Sequence, residues 1–352
     1  MPPNECQDEK MLIVRPAEEP DVDQLYKLIQ KSAYGLTTLK ISKDQLLERI
    51  EASGFAFRMK SGRPAGQPYV FVMEDLALGT VVGTCSIYSK IGGYLPFYSY
   101  EIKNSLHKSQ ELGVNKEVPY LDLLEEHNGP TEIGSLFLSP DYWGKGHGRL
   151  LSLSRFLLMA EFPQRFDDET IAEMRGNVTD DGFSPFWNAI GAHFFEIDFP
   201  QTETLTTSFK NVIADLFPRH PIYIPLLPAD AQEVIANVHA HTKPARKMLS
   251  DEGFQHRNLI DIFDGGPVLH CQTSEIRTVR ESRKMPISEV VEEISQPDRL
   301  VGNCQLEGFR VCLGKLTVGE DHTVAIDRVT ALELSVRVGD LVRFVDLRSG
   351  TH

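Results

Sequence analysis

Short apolar runs alternate with amphipathic stretches along the first half of the chain, and the two patterns mark strands and helices in turn. Met11-Leu12-Ile13-Val14-Arg15, stopped by Pro16, predicts a strand. Asp21 ahead of Leu25, Leu28 and Ile29 predicts a helix with one buried stripe, and a second helix is expected over Asp44 to Glu51. Ser61 to Gly66 reads as a loop. Tyr69 to Met73 and Val81 to Ile87, joined by a turn near Ala77 to Gly79, predict a hairpin. Residues 90 to 130 are aromatic and irregular and support no assignment. Ile133 to Leu138 predicts another strand, Arg149 to Glu161 a helix apolar on most faces, and Ile171 to Met174 the next strand. Ser184-Pro185-Phe186-Trp187 opens a short helix, and Phe194 to Ile197 is expected to return as a strand.

This alternation indicates an α/β domain up to about residue 200. The same flavour continues with helices near Ala231 to Val238 and Ala245 to Glu252. Beyond Pro286 the pattern changes to short runs between Gly or Asp turns: Val311 to Leu313, Thr323 to Ile326 and Leu341 to Val345. That tail predicts a small all-β, barrel-like module. The acidic run Glu289 to Glu293 reads as a solvated helix face.

A length of 352 residues suits two or three domains, and the apolar (41%) and charged (24%) fractions are those of globular proteins. The formal net charge of -14 argues against a broad nucleic-acid surface. Five scattered cysteines (Cys6, Cys85, Cys271, Cys304, Cys312) form no CxxC pair, so neither a disulfide framework nor a metal site is expected. Met1 to Lys10 is polar and acidic, unlike a leader segment, and no apolar run is long enough to span a membrane. A cytoplasmic location is the expectation.

The strongest chemical signal is Leu136-Phe137-Leu138-Ser139-Pro140-Asp141-Tyr142-Trp143-Gly144-Lys145-Gly146-His147-Gly148-Arg149. Glycines at every second position bridge a strand to a buried helix. They permit tight turns and close approach of a ligand. The helix start adds unpaired N–H groups and partial positive charge, while Lys145 and Arg149 add fixed charge. Such a segment is either a plain turn or a cradle for a diphosphate. It is neither a Walker loop, since no GK[ST] follows, nor a good dinucleotide fingerprint.

The arrangement resembles the pyrophosphate loop of GNAT-type N-acyltransferases, with Gly146 and Gly148 at the small positions and Trp143 where Gln or Arg is usual. Longer stretches resemble the arginine N-succinyltransferase family. They are Gly35 to Leu39, Leu136 to Glu161, Ala172 to Gly176, Ser184 to Trp187, His220 to Tyr223 and Asp261-Ile262-Phe263-Asp264-Gly265-Gly266-Pro267. The similarity runs from about Met11 to Glu281 and is loose beyond 285.

The resemblance implies transfer of succinyl from succinyl-CoA to the α-amino group of L-arginine. It also implies a GNAT-like acyl-CoA-binding domain over 11–200 after a disordered 1–10, a second α/β region over 201–284 and the β-module over 285–352. It places acyl-CoA against Leu136, Phe137, Leu138, Gly144, Lys145, Gly146, His147, Gly148 and Arg149. The family's catalytic proton donor falls on His239, in Val238-His239-Ala240-His241-Thr242-Lys243-Pro244-Ala245-Arg246. Paired, related chains in the family imply a homo-oligomer or a hetero-oligomer with a paralogue. Ornithine or another amine as acceptor, and a mainly structural subunit, remain alternatives.

Other residues stay open between two roles. Arg175 suits either a substrate carboxylate or a surface ion pair, and Glu173 joins Glu132, Asp180 and Asp181 as candidates to answer a guanidinium. Cys85 is either an acyl-carrying nucleophile or a buried structural thiol, and no motif sets a His beside it.

Overall fold

The computed structural model describes residues 11–31, 41–60, 62–93, 96–205 and 210–348. The expected disorder of 1–10 and the block Gly35 to Leu39 lie outside them.

Ten strands carry the site: β1 (Leu12–Pro16), β2 (Pro68–Asp75), β3 (Thr80–Tyr88), β4 (Phe97–Ser109), β5 (Val114–Glu126), β6 (Thr131–Leu138), β7 (Glu169–Glu173), β8 (Ile222–Tyr223), β9 (Gln255–Ile260) and β10 (Pro267–Gln272). They lie side by side in the order β1-β2-β3-β6-β7-β10-β9-β4-β5-β8. Helices α1 (Val22–Ile29) and α2 (Lys43–Arg58) cover one face, where Leu25, Ile29, Leu46 and Ile50 form a core with Val70 and Val72. α2 starts at a capping box, in which Ser42 Oγ accepts from Gln45 N and Gln45 Oε1 accepts from Ser42 N. α3 (His147–Glu161) packs on the opposite face, with Leu150, Leu153 and Phe156 in the largest core. Val238, Leu249, Phe254 and Leu269 belong to that same core, so the region after 200 closes the sheet's interior.

Four expectations need correction. Residues 97–126 form the long antiparallel hairpin β4–β5, paired from Phe97↔Glu126 to Ser109↔Val114. Its outer half carries polar residues on both faces, which erases the period-two signal. Phe194 to Ile197 is not a strand: Ala192–Phe195 is a short helix, ended by Glu196 in the left-handed region (φ 53°). There the Phe195 ring lies tilted 5.3 Å from Trp187 and edge-on 5.1 Å from Phe217, and an apolar run that short suits either geometry.

The tail is neither all-β nor barrel-like. Its strands Arg283–Val291, Arg299–Asn303, Val311–Gly314 and Leu341–Asp346 extend the same open sheet, and Val311–Gly314 pairs antiparallel with β1 through Ile13↔Cys312. Helix Arg328–Leu334, N-capped by Asp327, packs on these strands through Ala331 and Leu334. Glu289 sits on the strand Arg283–Val291, whose inner side chains Met285 and Ile287 are buried, so the acidic run is solvated without being helical.

Candidate active site

The sheet opens at one place. β6 and β7 run parallel and are in register at Thr131↔Thr170 and Glu132↔Ile171; beyond those pairs β6 continues to Leu138 without β7 beside it. On its other side β6 stays paired with β3, but the register slips between Thr84↔Phe137 and Ser86↔Gly134. Two residues, Ser135 and Leu136, thus oppose Cys85 alone, and Ser135 takes φ 53°. Such a bulge rotates the backbone groups that follow it. The segment Gly134 to Leu138 therefore presents peptide groups to a gap a linear ligand can enter as an added strand. Leu136, Phe137 and Leu138, all half-buried, line it.

At the far end of β6 the chain enters α3 through three consecutive left-handed residues, Gly144 (φ 95°), Lys145 (φ 47°) and Gly146 (φ 85°). An added Cβ at Gly144 or Gly148 would meet nothing within 4 Å, so the glycines face open space. The first bond of the helix runs from Leu150 N to Gly146 O at 2.9 Å, and His147 N donates to Gly144 O at 3.0 Å, which leaves the Gly148 and Arg149 amides at the helix start. The side chains divide. Lys145 is exposed, whereas His147 is buried with Nδ1 2.9 Å from the Tyr142 carbonyl and fixes the loop from inside. Arg149 donates to Asp251 at 3.1 Å, tying α3 to helix Lys243–Asp251. Trp143, 68% exposed, donates Nε1–H to the Leu138 carbonyl at 3.0 Å.

The facing wall continues from β7, whose last residue Glu173 is half-buried. Arg175 O accepts from His239 N at 2.9 Å, and Arg175 Nη1 lies 3.4 Å from His239 Nδ1. The same Nδ1 accepts the backbone N–H of His241 at 3.2 Å. A ring nitrogen that accepts from an amide carries no proton, so the neutral ring holds its proton on Nε2. Burial, then the charges of Arg175 and His241, lower the His239 pKa, partly offset by Asp180. The imidazole is neutral at pH 7.

The Asp261 to Gly266 turn clamps this wall. Asp264, buried, accepts Gly176 N at 2.7 Å and Gly266 N at 2.8 Å, while Gly265 O accepts Ala236 N at 2.9 Å. It thus grips the segments carrying Arg175 and His239 together. Burial and the neighbouring Asp261 raise the Asp264 pKa.

Cys85 has 0% exposure, donates Sγ–H to Leu151 O at 3.3 Å, and burial pushes its pKa up to about 11. It is a packed thiol, not a nucleophile.

Two features were not singled out from sequence. A cleft of about 380 Å³ is lined by Asn237, Val238, Lys243, Arg246, Lys247 and Ser250. Its cationic run, Lys243-Pro244-Ala245-Arg246-Lys247, was visible in the sequence but had no partner there. Arg155, 2% exposed, reads in the sequence only as one polar interruption in a largely apolar helix.

A bulged strand parting from its parallel neighbour, with a left-handed glycine loop at a helix start, is the site of an acyl-CoA-dependent N-acyltransferase. The profile described as "Arginine N-succinyltransferase beta subunit" matches residues 12–278, and that of its C-terminal domain matches 283–346. The chain belongs to the arginine N-succinyltransferase family. It is 40% identical over 342 residues to the arginine N-succinyltransferases of Escherichia coli O139:H28 and of Shigella flexneri, covering 96% of this chain and 98% of each relative. The solved arginine/ornithine succinyltransferase subunit AI from Pseudomonas aeruginosa superposes with a TM-score of 0.88 at 35% identity, over 97% of this chain and all of that one.

Proposed function

We propose that this protein transfers the succinyl group of succinyl-CoA to the α-amino group of L-arginine, by direct attack in a ternary complex. The observation that carries the reading is the pairing of an open, bulged β6 with His239 on the facing wall. The names of the relatives supply the substrates.

The thioester arm lies along Leu136 to Leu138 as an added strand, with its diphosphate over Gly144 to Arg149. Lys145 and the cationic cleft at Lys243, Arg246 and Lys247 supply charge for the CoA phosphates. Backbone N–H groups of the bulge stabilise the oxyanion. The acceptor's amine, with an ordinary pKa of about 8, attacks as the free base. As the C–N bond forms and the C–S bond breaks, Nε2–H of His239 donates to the departing sulfur, and a proton from the new ammonium restores the ring. Atoms balance: the amine loses one proton and CoA leaves as the thiol. Arg175 and Glu173 line the acceptor side. We infer assembly with a second copy or a paralogous chain, since the Pseudomonas relative is named a subunit.

Purified protein given succinyl-CoA and L-arginine is expected to release free thiol, measured by a chromogenic disulfide. Release with L-ornithine and not with L-arginine would reassign the acceptor. No release with any amine would end the reading.

A further inference from the structure

Arg155 sits two turns into α3, facing the sheet, with 2% exposure. Its Nε donates to Ser152 O at 3.0 Å and Nη2 to Ser152 Oγ at 2.9 Å, both on its own helix. Its Nη1 reaches Gly134 O at 3.5 Å. The guanidinium lies above the Phe156 ring, 5.9 Å from its centroid, and beside the Cys85 thiol. Among the described residues no carboxylate stands within ion-pair distance of it, whereas buried Arg277 is matched by Glu252 at 2.7 Å; buried Arg165 also lacks a carboxylate, and its guanidinium meets the Ala56 and Met59 carbonyls and the Tyr69 hydroxyl instead.

A buried cation with only neutral partners is costly, because removal from water is not repaid by an opposite charge. Burial accordingly lowers the Arg155 pKa. The cost is borne at a telling place. Gly134 is the second residue past Glu132, the last on β6 paired with β7, so its carbonyl marks the apex of the gap. It immediately precedes the bulge at Ser135–Leu136. In the ternary complex proposed above, a thioester carbonyl at the bulge would have its acyl chain running along β6 toward this apex.

We propose that Arg155 is the receptor for a carboxylate at the far end of the transferred acyl group, and so selects a dicarboxylic monothioester over a neutral acyl-CoA. Two donors of a planar fork suit a carboxylate, and Nη1, whose present bond to Gly134 is long, is the one that turns to it. The inference rests on the proposed acyl transfer and names the group that reads its donor.

The test compares succinyl-CoA with butyryl-CoA, equal in carbon count but uncharged, on wild type, Arg155→Met and Arg155→Lys, with L-arginine and with its decarboxylated analogue agmatine. Arg155→Met is expected to lower kcat/KM for succinyl-CoA on the order of 100-fold, the size of loss from truncating one partner of a buried charge pair. Butyryl-CoA turnover and the Kd of free CoA stay within a few-fold of wild type, by the same argument that they make no such pair. Arg155→Lys is expected to fall between. The free Arg155→Met protein should unfold at a temperature no lower than wild type, since an unpaired buried charge has been removed. A loss equal for both thioesters overturns the inference, as does a loss that depends on the acceptor's carboxylate. Should Arg155→Met not fold, the same succinyl-to-butyryl ratio read on Arg155→Lys decides. Wild type inactive with both thioesters overturns the proposed function, and this inference with it.

Discussion

At Gly144 and Gly148 an added methyl group would meet nothing within 4 Å, whereas at Gly266 it would lie 2.0 Å from Met174 O and 2.6 Å from Gly176 N. Both segments are glycine-rich and both border the candidate site. One set of glycines keeps a surface clear for something from outside; the other lets two stretches of backbone touch. Gly265 belongs with the second kind, with φ 70° and the Phe186 ring 2.9 Å from its would-be Cβ. Identical composition therefore serves access in one turn and closure in the other, and only the neighbours tell them apart.

Substitutions can break this contrast. The largest effect should come from what the closed turn holds: His239→Ala is expected to lower kcat by about 10²- to 10⁴-fold with little change in melting temperature. Steady-state rates beside thermal unfolding check it; unchanged turnover would remove His239 from the reaction. Next, Gly266→Ala should cost about 3 kcal/mol or more, since neither contacting atom is a side chain that can swing away. Denaturant unfolding measures this directly. Gly148→Ala should behave oppositely, gaining about 0.5–1 kcal/mol of stability in the helix while raising KM for acyl-CoA. A normal KM there would mean the loop meets no ligand.

The smallest effect concerns pH. Because burial and Arg175 hold the His239 pKa below its ordinary value, the ring takes up its second proton only at acid pH. The midpoint of the His239 ring's own titration, followed by NMR of the free protein so that the acceptor amine does not contribute, should thus lie below about 6.5, and Arg175→Met should move it upward. A midpoint at or above the ordinary value in wild type would contradict the Nδ1 contacts.

Much of the α/β core was legible because its signals are local. The strand–glycine–helix sequence from Leu136 to Glu161 specifies its own geometry, and β2–β3 reads as two nearly continuous apolar runs either side of a polar turn. What escaped depends on neighbours distant in the chain. Asp264 reads as an ordinary turn residue until Gly176, 88 positions away, is seen to donate to it. Arg155 looks like one polar interruption in an apolar helix, and its isolation from every described carboxylate exists only in three dimensions. His239 was reached through family resemblance; eleven histidines offered no local reason to choose it.

The pairing of β1 with Val311–Gly314 bears on how the chain is made. Ile13, among the first residues of the sheet, has its ladder completed by Cys312, on a strand made far later in the chain. During synthesis that hydrophobic strand must wait for almost the entire polypeptide before one of its sides is covered. Contacts so far apart in sequence close slowly, and an uncovered strand in the interval invites association between nascent chains. Truncation before residue 311 would make that interval permanent, leaving a sticky border where the mature molecule has continuous sheet.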